Sequence, residues 1–195
     1  MKNKIYNIII TILVISLLIV CGLIIIKYTK LDKKDEELRE FASNMKMQIQ
    51  NSKNKEENKI DTKYKGYDVL GIIRIPKIGI EYPILDKTND ETMAIAITKF
   101  WGNDINEVGN FSMAGHNYYN GVFFANTKKL ENGDVIDMTD LTRRTIEYEV
   151  FKKYVIDPND VTCVNSVNKD AREITLITCT NGRSNRLIIK AREKN

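Results

Sequence analysis

Residues 173–189 read EITLITCTNGRSNRLII. Two β-branched runs flank the turn signal Asn181-Gly182, so this stretch reads as two stiff strands joined by a short loop. Cys179 closes the first strand, and Arg186 opens the second. The same texture extends upstream. Val69–Ile75, Ile80–Leu85, Phe111–Ala114, Asp134–Met138 and Thr145–Ile156 are further runs of strand character, separated by turn signals such as Asn132-Gly133 and Asp157-Pro158-Asn159. Many short strands of this kind predict a mostly β sandwich or barrel. Thr92–Phe100 and Val122–Leu130 are predicted to be short helical interruptions.

The N-terminal part differs. Ile5–Ile26 is a 22-residue run without a charge. As a helix it spans ~33 Å, enough to cross a bilayer. It ends in Lys27-Tyr28-Thr29-Lys30 rather than in a small-residue cleavage site, which favours an uncleaved anchor over a signal peptide. Beyond it, Leu31, Leu38, Phe41, Met45 and Ile49 recur at helical spacing, which predicts an amphipathic helix. That helix packs on the folded domain, lies near the membrane surface or self-associates. Residues 51–59 are polar and unpatterned and read as a linker. The expected organisation is an anchor at 1–30, a charged connector at 31–60 and a catalytic domain at 61–195.

Charge narrows the function. Residues 1–60 hold 11 Lys/Arg against 7 Asp/Glu and so carry the whole net charge of +4, while residues 61–195 are neutral. A neutral domain lacks the electrostatic footprint of a nucleic-acid binder. The chain has one histidine and three cysteines, too few for a histidine-rich metal site or a disulfide scaffold. Imidazole chemistry therefore rests on His116, which follows a strand-like segment and Gly115. Three cysteines compete as nucleophile. Cys21 lies in the apolar run, Cys163 in a loop-like stretch, and Cys179 at a strand end near Arg183 and Arg186. A nearby positive charge favours the reactive thiolate. A Cys163–Cys179 disulfide is the structural alternative.

Five segments, taken in order, resemble the sortases, cysteine transpeptidases of Gram-positive cell surfaces. Thr175-Leu176-Ile177-Thr178-Cys179 is similar to the family's TLxTC signature, and Ser112–Asn117 to its histidine motif. Arg186-Leu187-Ile188-Ile189 resembles the strand bearing the family arginine. Ile75–Ile80 and Leu130–Asp134 add further matches. The His116–Cys179 separation of 63 residues also suits the family.

The resemblance implies a closed, mostly antiparallel barrel of about eight strands with short helices, preceded by one transmembrane helix. It implies Cys179 as nucleophile, His116 as proton carrier and Arg186 as the oxyanion or substrate-orienting group, with Arg183 the rival for that last role. The implied reaction cleaves an LPxTG-like sorting signal through a thioacyl intermediate and joins the protein to a peptidoglycan amine. A pilin-polymerising enzyme using a lysine acceptor, a hydrolytic peptidase and an inactive tethered peptide-binding module are the alternatives. The loop from Asp157 to Arg172 is expected to wall the substrate groove. No cofactor is expected: some relatives bind calcium through acidic loops, but Asp104 and Glu107 read here as surface acids. The catalytic domain is expected to face outward, although the lysines flanking the span slightly favour the opposite orientation.

Overall fold

The computed structural model describes residues 2–51, 62–118, 121–180, 182 and 184–194. The linker predicted at 51–59 lies almost wholly outside them, and so does Arg183.

Helix α1 runs from Lys2 to Asn51 without a break. No proline interrupts it, and at 50 residues it is ~75 Å long. Within its apolar half the polar side chains bond back to the helix itself. Thr11 Oγ1 donates to the Asn7 carbonyl at 2.9 Å, and Ser16 Oγ to the Leu13 carbonyl at 2.8 Å. Such bonds satisfy hydroxyls where water is absent. The apolar side chains from Ile5 to Ile26 are exposed, and α1 is, among the described residues, the one helix long and apolar enough to cross a membrane. The helical part of the predicted connector is thus continuous with the apolar segment.

The second half of α1 packs on the folded domain. Leu38, Ala42, Met45 and Ile49, at steps of four, three and four, are all buried and join the main core. Polar contacts frame that stripe. Lys34 Nζ donates to the Ala94 carbonyl at 2.7 Å, Lys46 pairs with Glu81 at 2.9 Å, and Glu37 pairs with Lys65 at 2.9 Å. Tyr82 donates to Asp35, and Arg39 bridges Asp35 and the Gly79 carbonyl.

The strands are β1 (Lys63–Tyr64), β2 (Tyr67–Ile75), β3 (Ile80–Leu85), β4 (Ile97–Trp101), β5 (Gly109–Ala114), β6 (Val135–Asp140), β7 (Thr145–Ile156), β8 (Arg172–Thr180) and β9 (Asn185–Glu193). They pair in the order β1-β2-β3-β4-β5-β8-β9-β7-β6, and β6 returns to β2. Strands β2 to β9 therefore close an eight-stranded barrel, with β1 a short addition on β2. Two neighbours, β3–β4 and β5–β8, are parallel, and the rest are antiparallel. Gly71 sits on the closing seam, opposite both Ile84 and Asp140. A Cβ there would lie 2.3 Å from the Thr139 carbonyl oxygen, so the seam requires glycine. Strand β3 is buried on both faces, since α1 covers the outside of the barrel where β3 runs.

Two helical expectations are corrected. Helix α2 occupies Asp90–Ile95, not 92–100. Asn89 and Thr92 form a reciprocal capping box that starts it earlier. It stops because Ile97 and Thr98 are buried as the strand between β3 and β5. Of 122–130, only Thr127–Lys129 is helical, as a single 3-10 turn. Phe123 adopts a positive φ of 57° and bridges to Asn117, which breaks any helix there.

Candidate active site

Three neighbouring strand ends bring the predicted residues together. Every partner pair of the parallel β5–β8 ladder, from Gly109↔Arg172 to Ala114↔Ile177, is offset by 63 residues. His116 and Cys179 are separated by the same 63. Each lies two positions past the last pair, so they occupy the same level of adjacent strands. The ladder geometry persists beyond β5, since the Gly115 amide donates to the Ile177 carbonyl at 3.1 Å. On the other side of β8, Cys179 pairs directly with Arg186 of β9. Residues in one row of a sheet share a face, with neighbouring strands ~4.8 Å apart. His116, two residues past the end of β5, therefore continues the row that Cys179 of β8 and Arg186 of β9 form.

The loop carrying His116 is fastened to β8. Thr178 Oγ1 donates to the Gly115 carbonyl at 2.7 Å, and Asn117 Nδ2 donates to the Cys179 carbonyl at 3.0 Å. The Phe124 amide donates to the His116 carbonyl at 3.0 Å. A Cβ on Gly115 would lie 2.8 Å from the Phe124 ring, so glycine lets this loop sit close. The His116 ring packs on Tyr118 at 5.1 Å between centroids, and Tyr118 packs on Phe123 at 5.5 Å.

Two clefts meet at this row. The smaller, of about 360 Å³, holds Cys179, His116 and Arg186 between α2 and the loop after β7; Met93, Phe100, Ile156 and Val161 make it largely apolar. The larger, of about 600 Å³, opens on the other side of His116 and Cys179. Its far wall is α1, through Lys27, Lys30 and Leu31, with Lys128 beside them.

The cysteines have different surroundings. All three are free thiols, which removes the disulfide alternative. Cys163 also lines the smaller cleft but is buried to 3% exposure. Burial pushes its thiol pKa up, against a weaker opposing pull from Lys190. Cys179 is only half-buried. Asp104 pairs with Lys99 at 3.4 Å and Glu107 with Arg144 at 2.6 Å. Among the described residues there is no cluster of three His, Cys, Asp or Glu side chains suited to a metal ion.

Sequence reasoning did not single out Asn117, Tyr118 or the α1 wall. Asn117 and Tyr118 adjoin His116 in the chain, which was a usable signal. Nothing in the sequence places Lys27 or Leu31 beside Cys179, because that proximity depends on how α1 docks.

A closed barrel that aligns a cysteine, a histidine and an arginine on adjacent strand ends defines a class of thiol acyl-transfer scaffold. The Sortase domain family matches residues 73–194, and the chain belongs to the sortase family. It is 32% identical over 118 residues to Sortase A of Bacillus anthracis, covering 60% of this chain and 55% of that protein. It is 28% identical over 130 residues to Sortase D of Bacillus subtilis, covering 66% and 63%. The matched region thus spans less than two thirds of either relative. Among solved structures, the Sortase D5 transpeptidase of Clostridium perfringens matches with a TM-score of 0.63 and 30% identity, over 84% of this chain and 99% of that one.

Proposed function

We propose that this chain is a membrane-anchored cysteine transpeptidase that cleaves a sorting signal of the LPxTG type and joins the resulting acyl group to a cell-wall amine. The observation that carries this reading is the single row of His116, Cys179 and Arg186 at the junction of two clefts. In the first half-reaction the Cys179 thiolate adds to a backbone carbonyl carbon of the peptide. Arg186 donates to the developing oxyanion, a contribution of ~3–4 kcal/mol for donors of this kind. The C–N bond breaks, His116 gives its proton to the leaving amine, and a thioester remains on Cys179. In the second half, an acceptor amine attacks the thioester, returns a proton to His116 and releases the thiolate.

The clefts divide the two substrates. The smaller, apolar cleft suits an extended peptide with apolar side chains. The larger one gives a second nucleophile its own approach to the thioester, which favours transfer over simple hydrolysis. The reaction needs no metal or organic cofactor. The exposed apolar half of α1 supports a single-pass anchor, and the proposed substrates put the barrel on the outer side of the membrane.

The test uses the full chain in detergent micelles, with labelled sorting-signal peptides and a primary amine. Intact mass should show a peptide-sized adduct on Cys179, and the amine should discharge it into a conjugate. Cys179→Ala should retain peptide binding and lose turnover. Turnover surviving in Cys179→Ala, or an adduct mapping to Cys163, would overturn the reading.

A further inference from the structure

One wall of the smaller cleft is the loop between β7 and β8, residues 157–171, through Pro158, Asp160, Val161 and Cys163. Its only regular structure is one 3-10 turn, Thr162–Val164. A loop of this length needs fastening if it is to present a defined surface.

The fastening comes from buried polar side chains of β5, β8 and β9. Lys190 is 2% exposed. Its Nζ donates to the Cys163 carbonyl at 3.0 Å and to the Asn165 carbonyl at 2.7 Å. Asn110 Nδ2 donates to the carbonyl between them, that of Val164, at 2.7 Å. Asn110 is itself oriented by Thr175 Oγ1 at 2.9 Å. Three consecutive loop carbonyls are thus held from below. Further along, the Val167 and Asn168 amides donate to buried Glu173 at 2.7 and 3.1 Å.

A buried ammonium is costly unless its donors are used. The barrel does not require one here, since Leu187, Ile188, Ile189 and Ala191 fill the rest of that segment. What Lys190 does bond is the loop. Burial lowers its pKa, and Glu173 opposes that shift.

We infer that Lys190 is a specificity-determining positioning residue, which fixes the 161–168 segment carrying the Val161 and Cys163 wall of the peptide cleft and so acts on donor-peptide binding rather than on the chemistry of Cys179. The inference rests on the transpeptidase reading for its substrate and on the hydrogen bonds above for its mechanism.

The test compares wild type with Lys190→Met as full chains in detergent. Methionine keeps length and removes charge and donors. The expected result is a KM for the donor peptide raised about tenfold or more, equivalent to ~1.4 kcal/mol, with kcat within about threefold. Alkylation of Cys179 by iodoacetamide should keep its wild-type rate. Amide hydrogen exchange should quicken at 161–168 and stay unchanged in β8 and β9. An unchanged KM, exchange that does not move at 161–168, or a fall in kcat with slowed alkylation would each overturn the inference. If Lys190→Met does not fold, Asn110→Ser leaves both Lys190 bonds in place and removes the amide that holds Val164, along with its bonds to Ser112 and Thr175, and the same pattern at smaller amplitude is required. If the wild type turns over no peptide, the transpeptidase reading fails, while exchange and alkylation still decide whether Lys190 holds the wall.

Discussion

Cys163 and Cys179 line the same cleft, yet only one is suited to attack. Cys163 is buried, and its thiol pKa is raised by that burial. A raised pKa leaves less thiolate at neutral pH, and the thiolate is the nucleophile. Arg186, opposite Cys179, is the side chain to which the oxyanion role is proposed. Its planar fork can hold two oxygens at once, whereas lysine offers a point charge. We therefore expect Arg186→Ala to lower kcat by ~10²–10³, the loss typical of a removed oxyanion donor. Arg186→Lys should recover only a minor part. Single-turnover acylation at saturating peptide would measure both, and near-complete recovery by lysine would show that charge alone suffices. The candidates Cys179, His116 and Arg186, which the fold brings together, stood out because each sits in a motif of several residues. Asn117 lies in the histidine motif too, but its contact was not legible, because it exists only when β5 and β8 are aligned and its amide reaches the Cys179 carbonyl.

At the level of elements, strands were read more readily than helices. Ile80–Leu85 and Thr145–Ile156 match their predicted bounds, because β-branched runs between turn signals have few other uses. The failures lie where local pattern and tertiary burial disagree. The segment from Ile97 to Phe100 is expected to be helical but is needed in β4 as a ladder between β3 and β5. The closing seam shows a different kind of control. Asp140 ends β6 opposite Gly71 and accepts from the Thr142 amide at 2.9 Å, the Arg144 amide at 3.0 Å and Arg144 Nε at 2.9 Å. Burial alone would raise its pKa, but the bonds from Thr142, Arg144 and Asn106 outweigh that and hold the carboxyl below its ordinary value. An unfolded Asp takes up its proton near pH ~3.9. The charged Asp140 therefore stabilises the fold above that pH, and the contribution is lost as pH falls through the lower folded value. Asp140→Asn should cost ~1–3 kcal/mol at pH 7. Its deficit relative to wild type should shrink at pH 3. Thermal unfolding of both proteins at the two pH values checks this, and a deficit independent of pH would mean that shape, not charge, is what Asn lacks.

At the scale of the whole molecule, α1 belongs to two environments. Its first half is exposed and apolar, and its second half is part of the barrel's core. Periodicity predicted an amphipathic helix after the anchor, but it left open whether that helix docks, because the acidic and basic residues beside the stripe find partners only in three dimensions. Two truncations separate the roles of α1. A chain of residues 62–195 loses Leu38, Met45 and Ile49, and burial of each such side chain is worth ~1.5–3 kcal/mol before the cost of ordering the helix. Its melting temperature should fall by on the order of 10 °C, at ~2–4 °C per kcal/mol. A chain of residues 32–195 keeps this packing and should melt near the full-length barrel. It lacks the apolar half of α1 and, at the site, the wall of the larger cleft formed by Lys27, Lys30 and Leu31. Because that wall faces the approach proposed for the second substrate, acylation by peptide should stay within about threefold, under ~0.7 kcal/mol. The acyl-enzyme should then partition more toward water and less toward the amine. Product ratios at several amine concentrations give this partition directly. If both truncations show full-length partitioning, the acceptor does not approach along α1, and both half-reactions must share the smaller cleft.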